Sequence, residues 1–165
     1  MFLIKQLLKH ILKIIEHKRY VFTECCKVWL YWQWVVHDMS KFSITELFES
    51  AKYFQWDHSP LDKWREEQWY SIARLNHKGK NKHHFHYRID IDRWKIIPVP
   101  MPKKYVLEMC CDMIWAWKAY NKKNFDRHEP IKYWVEKINK DFIHPDTVAL
   151  TSQLLTKYSE TWRLI

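Results

Sequence analysis

Glycine is almost missing from this chain: Gly79 is the only one in 165 residues. That scarcity argues against tight hairpins, dinucleotide-binding turns and glycine-rich phosphate loops, which use a backbone without Cβ. It favours helices with short connections. The six prolines fall mostly where helices would begin or in the segment Pro98-Val-Pro100-Met-Pro102, which should be extended. The four cysteines form two vicinal pairs, Cys25-Cys26 and Cys110-Cys111, with no Cys-x-x-Cys zinc spacing. Neighbours on a helix point about 100° apart, so neither pair should close a disulfide. Reduced, buried thiols in a cytoplasmic protein are expected. A long apolar run is missing too, because Lys5, Lys9 and Lys13 interrupt the N-terminal stretch every four residues. That stretch is no transmembrane span. It reads as an amphipathic helix packed into the domain, rather than one lying on a membrane.

What is present points to a single all-α domain over residues 1–165, a bundle of six or seven helices with negligible strand. Hydrophobic residues make up 47% of the chain, enough for a sizeable core at this length. Helical periodicity from residue 2 to about 33 places Leu3, Leu7, His10, Ile14, His17, Val21 and Val28 on one seam, with a break expected near residues 16–17. The apolar run Val28–Val36 suits a central buried helix that presents His37 and Asp38 at its end. Ser43-Ile-Thr-Glu46 reads as a capping box for a helix to about Trp56, and Ser59-Pro60 starts another to about His77. Gly79 is expected to end that helix and open a basic loop. Further helices are predicted from Lys103 to Tyr120, Glu129 to about Asn139 and Pro145 to about Glu160. Most of the 11 Trp, 9 Tyr and 8 Phe should pack in the core. The formal charge of +9 calls for an anionic partner: a nucleotide, a nucleic acid, a phosphorylated metabolite or an acidic membrane surface.

Chemically distinctive residues gather around His37-Asp38-Met39-Ser40-Lys41-Phe42-Ser43. Adjacent His and Asp can offer nitrogen and oxygen to one divalent ion. His17 lies 20 residues upstream, within reach through a helical hairpin. Downstream, His77, His83, His84 and His86 interleave with Lys78, Lys80 and Lys82. Glu108 and Asp112 stand one turn apart on the Lys103–Tyr120 helix.

The order His17, His37-Asp38, Asp112 resembles the HD-domain metal-dependent phosphohydrolases. Over most of the chain, the heptapeptide with Asn81-Lys-His-His more closely resembles an uncharacterised family of small bacterial and phage proteins. The resemblance implies an HD-like helical domain in which His17, His37, Asp38 and Asp112 bind a divalent ion (Mn, Fe, Ni, Zn or Mg). His77 and His84 would add a second ion, with His83 as an alternative to His84. Beside the resemblance, the residues themselves suggest Lys41 and Glu108 as catalytic groups, and Lys80, Lys82 and His83 of the basic loop as substrate contacts. In one departure, many single-metal HD nucleotidases place Glu where this chain has Lys41, leaving Glu46 or Glu108 to orient water. The expected function is hydrolysis of a small phosphate ester, first among them a nucleotide. The alternatives are a catalytically silent binder of nucleotide or nucleic acid with a structural metal, and an interaction protein held by such a metal.

Overall fold

The computed structural model describes residues 2–53 and 67–165, and their fold is mostly α-helical. Seven α-helices occur among the described residues: α1 (Phe2–Lys27), α2 (Tyr31–Val36), α3 (Ile44–Lys52), α4 (Ile72–Lys80), α5 (Lys103–Asn121), α6 (Glu129–Lys137) and α7 (Pro145–Thr161). None of them is long and apolar enough to cross a membrane.

α1 is continuous through residues 16–17, where a break was expected. Its inward seam buries Ile14, Val21 and Cys25. The helix ends in a Schellman motif: Leu30 N donates to Cys25 O at 2.9 Å and Trp29 N to Cys26 O at 3.3 Å. Trp29 occupies the left-handed position with φ 61°, a place normally taken by glycine. That turn divides the apolar run Val28–Val36, so the expected central buried helix does not form. Only the six residues of α2 follow, none of them buried.

The central position goes instead to α5, which is buried around nearly its whole circumference from Val106 to Cys111. Two of its turns thus meet helices on every side. Around it pack Val21, Cys25 and Val28 of the α1 end, Trp134 of α6, and Leu154, Leu155 and Tyr158 of α7.

α3 and α4 form the other wall. Ser43 Oγ accepts from Glu46 N at 3.4 Å and starts α3, as the capping pattern implied. Ser71 Oγ accepts from Arg74 N at 2.9 Å and starts α4. Glu49 of α3 ties the two together, accepting from Ser71 Oγ at 2.7 Å and Ala73 N at 2.8 Å. The expected helix end near Trp56 and start at Pro60 lie outside the described residues. Within them, residues 68–71 are non-helical, so α4 begins well after Pro60. Gly79 lies inside the last turn of α4 and does not end it.

The segment before α5 forms a small antiparallel hairpin, β1 (Ile89–Asp92) with β2 (Lys95–Pro98), Asp92 opposite Lys95. Scarce glycine argued against such a turn. Arg93 supplies the positive φ of 53° in its place, at the usual cost of a side chain in the left-handed region.

Candidate metal centre

Five parts of the chain converge where α1, α4 and α5 approach the turn after α2. α1 contributes His17, that turn contributes His37, Asp38 and Lys41, and the end of α4 contributes His77. His83 and His84 follow from the next segment, and α5 contributes Glu108 and Asp112. Asp38 adopts a left-handed backbone, φ 54° and ψ 23°, which Asp tolerates better than most residues. The turn sends His37 and its neighbour into the same cluster.

Two groups of donors share Asp38, and a third, His37, His83 and Glu108, lies buried beside them. In the first, Asp38 Oδ2 lies 3.4 Å from His17 Nε2 and 3.4 Å from His37 Nε2. Asp112 Oδ1 is 3.2 and 3.5 Å from the same two nitrogens, which are 3.3 Å apart. In the second, Asp38 Oδ1 lies 3.5 Å from His77 Nε2 and 3.4 Å from His83 Nε2. His84 Nε2 completes it, 2.8 Å from His77 Nε2. Donors bound about 2.1 Å from one cation at octahedral or tetrahedral angles sit roughly 3.0–3.4 Å from each other. The contacts in the two groups, 2.8–3.5 Å, bracket that spacing, and both groups could hold a metal ion.

The polar accounting also fits a cation. Apart from the 2.5 Å ion pair between Lys41 Nζ and Asp38 Oδ2, neither buried oxygen of Asp38 has a hydrogen-bond partner, and neither has His83 Nε2. Such groups are costly to bury unsatisfied. The chemistry of the donor set, imidazole nitrogen with carboxylate oxygen, suits Mn, Fe, Ni or Zn better than the all-oxygen cage of Ca.

A second layer of carboxylates aims the rings. Glu108 Oε1 accepts from Nδ1 of His37 at 3.0 Å and from Nδ1 of His83 at 3.1 Å. Glu46 Oε2 accepts from His77 Nδ1 at 3.1 Å and is steadied by Asn76 Nδ2 at 2.6 Å through its other oxygen. With protons fixed on Nδ1, the Nε2 lone pairs face the centre. Asn81 braces the loop, donating to Ser40 Oγ at 2.7 Å and to His77 O at 2.8 Å. Lys18 Nζ donates to the carbonyl of His37 at 2.7 Å and to that of Val35 at 3.3 Å, anchoring the turn.

Burial works against charge on Asp38 and Asp112. For Asp38, His37 and Lys41 outweigh it; for Asp112, His17 and His37 do, so both carboxyls stay ionised well below the usual range. Burial likewise opposes a proton on His37, but Asp38, Asp112 and Glu108 prevail and raise its pKa to about 10. A raised histidine stabilises the folded chain fully below its ordinary value of 6.5, and that contribution fades as pH climbs toward 10. Three depressed histidines act with the opposite sign, among them His84, which burial and then His83 and His77 hold well below the usual range. Burial and nearby lysine or arginine lower His10 and His86 to about 4, so their contribution is present above 6.5 and lost on the way down to 4. Without metal, the melting temperature is therefore expected to peak near pH 6.5 and fall on both sides. With metal present the alkaline fall should vanish, because a coordinated His37 is already neutral. Melting scans with and without a chelator from pH 4.5 to 9.5 read this directly.

Exposure gives the site a direction. His37, Asp38 and His83 side chains are at most 2% exposed, whereas His17 and His77 are at 17% and Asp112 at 21%. Solvent reaches the cluster at the latter three and at Lys41, 28% exposed. The structure brings together all six expected ligands, His17, His37, Asp38, His77, His84 and Asp112. His83, expected as a substrate contact or a substitute for His84, is buried beside it with Nε2 3.4 Å from Asp38 Oδ1, while His84 joins the same group through His77. Glu108, expected as a catalytic group, is buried behind two rings and holds them by hydrogen bonds. Lys80 and Lys82 are exposed on either side of buried Asn81. Among the described residues neither has an ion pair or hydrogen bond to the cluster, because the intervening Asn81 points inward and turns its neighbours out. Sequence reasoning gave no role to Lys18, Ser40 or Asn81. The last two lie inside the motifs His37–Ser43 and Asn81–His84, the one available signal.

Residues 6–157 match the model of a protein family described as "Family of unknown function (DUF5662)". No curated protein and no solved structure matches the chain.

Proposed function

Because the family to which this chain belongs is described as one of unknown function, we propose from the site itself that the protein is a phosphohydrolase. It uses two divalent ions held side by side and acts on a small anionic phosphate ester, with nucleotides the first class to test. The observation that carries this reading is Asp38, whose two oxygens face separate donor groups 3.4–3.5 Å away. The resemblance of His17, His37-Asp38 and Asp112 to the HD-domain pattern supports it. So does the open side, since a closed tetrahedral site would leave no place for substrate.

Bound divalent ions would supply Lewis acidity toward phosphoryl oxygens and an activated water at neutral pH. The chain's own residues do the rest. Glu108 and Glu46 keep protons on Nδ1 of His37, His83 and His77, which leaves Nε2 free to ligate. Lys41, partly exposed beside Asp38, is placed to neutralise charge on a phosphoryl group entering from the open side. The net charge of +9 draws anions toward it.

The test is phosphate release from nucleotides, cyclic nucleotides and simple esters, with Mn, Fe, Ni and Mg supplied in turn to metal-stripped protein. Metal-dependent turnover of at least one ester is expected, with Lys41→Ala lowering it by roughly 10²-fold. No turnover of any ester, alongside tight nucleotide binding, would instead identify a silent binder.

A further inference from the structure

α1 is apolar on two sides. One is the inward seam of Ile14, Val21 and Cys25. About 120° around the helix, given 100° per residue, runs a second stripe of Ile4, Leu8, Leu12 and Ile15, which are 62, 57, 60 and 45% exposed. Phe22 continues it, half-exposed, with its ring centroid 4.4 Å from that of Trp34 in the next helix. Trp29, Tyr31 and Trp32 are exposed just beyond. At 1.5 Å per residue the stripe from Ile4 to Phe22 is about 27 Å long. Such contiguous aliphatic surface is unusual on a free protein.

Charge narrows what could cover it. Lys5, Lys9 and Lys13 each follow a stripe residue or its neighbour, forming a parallel basic row, and Glu16 is the one acidic residue between positions 2 and 19. Glu16 already pairs with Lys13 at 2.8 Å. A second copy of this face would set lysines against lysines. A nucleic acid would satisfy the lysines but leave the aliphatic stripe in water. Hydrocarbon beside negative charge answers both rows, and the aromatic group at the far end suits the headgroup zone. We propose that the outer face of α1 docks on an anionic lipid surface, lying in its plane without crossing it. The metal-binding side chain of α1, His17, projects from the inward face, so docking would leave the centre intact.

The experiment is co-sedimentation of the full chain with vesicles of phosphatidylcholine alone or with 30 mol% (about one lipid in three) phosphatidylglycerol. Binding is expected to the anionic vesicles, weakened by salt, and reduced roughly tenfold or more in Leu8→Ser/Leu12→Ser. Both substituted side chains are exposed, and an unchanged circular dichroism spectrum checks that the variant is folded. Lys5→Gln provides a second variant, expected to weaken binding to anionic vesicles. Failure to bind anionic vesicles, or equal binding to neutral ones, overturns the proposal. So does a wild-type dimer in sedimentation velocity that the double variant abolishes, if vesicles go unbound, since a second copy then covers the face. A retained vesicle interaction in the double variant would likewise exclude α1 as the docking face.

Discussion

Replacing Glu108 with alanine is expected to weaken metal binding in both halves of the cluster together, by roughly 10–100-fold each. The reason is geometric. One oxygen, Oε1, holds Nδ1 of His37 at 3.0 Å and Nδ1 of His83 at 3.1 Å, and of the two groups that share Asp38 each contains one of these rings. Without it, both imidazoles can rotate or change tautomer, and each Nε2 is no longer aimed at Asp38. The carboxylate is also held ionised by these histidines against its burial, so its removal takes negative charge from the neighbourhood of both cations. Glu46 supplies the contrast, since among the described residues it supports His77 alone of the rings. Glu46→Ala should lower affinity in one half and spare the other. Titration calorimetry on metal-stripped protein distinguishes them: two weakened binding events for Glu108→Ala, one for Glu46→Ala. A Glu108→Ala protein with one binding event untouched would show that the oxygen does not serve both groups.

Asp38→Asn should have the larger effect. Asparagine tolerates the left-handed backbone at φ 54° and has nearly the same shape, so the fold is expected to survive, as circular dichroism would show. The loss is the carboxylate that both donor groups share. Neither group should then retain an ion, and metal-dependent phosphate release should disappear with them. Stability provides a readout that needs no substrate. A ligand at 100 times its dissociation constant stabilises the fold by about 2.7 kcal/mol. Saturating metal should raise the wild-type melting temperature and leave that of Asp38→Asn unchanged. The substitution also removes the main charge that raises the His37 pKa to about 10, so the alkaline fall in stability of the metal-free chain should shrink. A variant that still gains stability from metal would place the ligands elsewhere.

The parts of the fold legible in the sequence were those written in local patterns. Ser43 and Glu46 announced the start of α3, Pro145 the start of α7, and the period of Val106, Met109, Cys110 and Met113 the body of α5. Two glycine-based inferences went astray for one physical reason: other residues can take the left-handed backbone when tertiary contacts favour it. Trp29 ends α1 there and Arg93 turns the hairpin there, while Gly79 stays in a helix. Neither Trp nor Arg signals a turn. The apolar run Val28–Val36 looked buried because hydrophobicity alone does not say which way a short helix faces.

The cluster was legible where its donors come as fixed spacings, His37-Asp38 and His83-His84, or within recognisable motifs. It was not legible where geometry decides. The choice between His83 and His84 depended on the turn at Lys82 and His83, which brings both rings into one donor group, His83 against Asp38 and His84 against His77. Glu108 and Asp112 share a helical face, but only the depth of each explains why one holds rings and the other faces the centre. Lys80 and Lys82 had the charge of a phosphate site, yet the inward turn of Asn81 sends them outward.

The most direct measurement is anomalous X-ray diffraction from crystals of metal-stripped protein reloaded with Mn or Fe. Two peaks roughly 3.5–4 Å apart are expected on either side of Asp38, one among His17, His37 and Asp112, the other among His77, His83 and His84. A single peak enclosed by four protein ligands, or no peak within reach of Asp38, would contradict the shared-carboxylate centre.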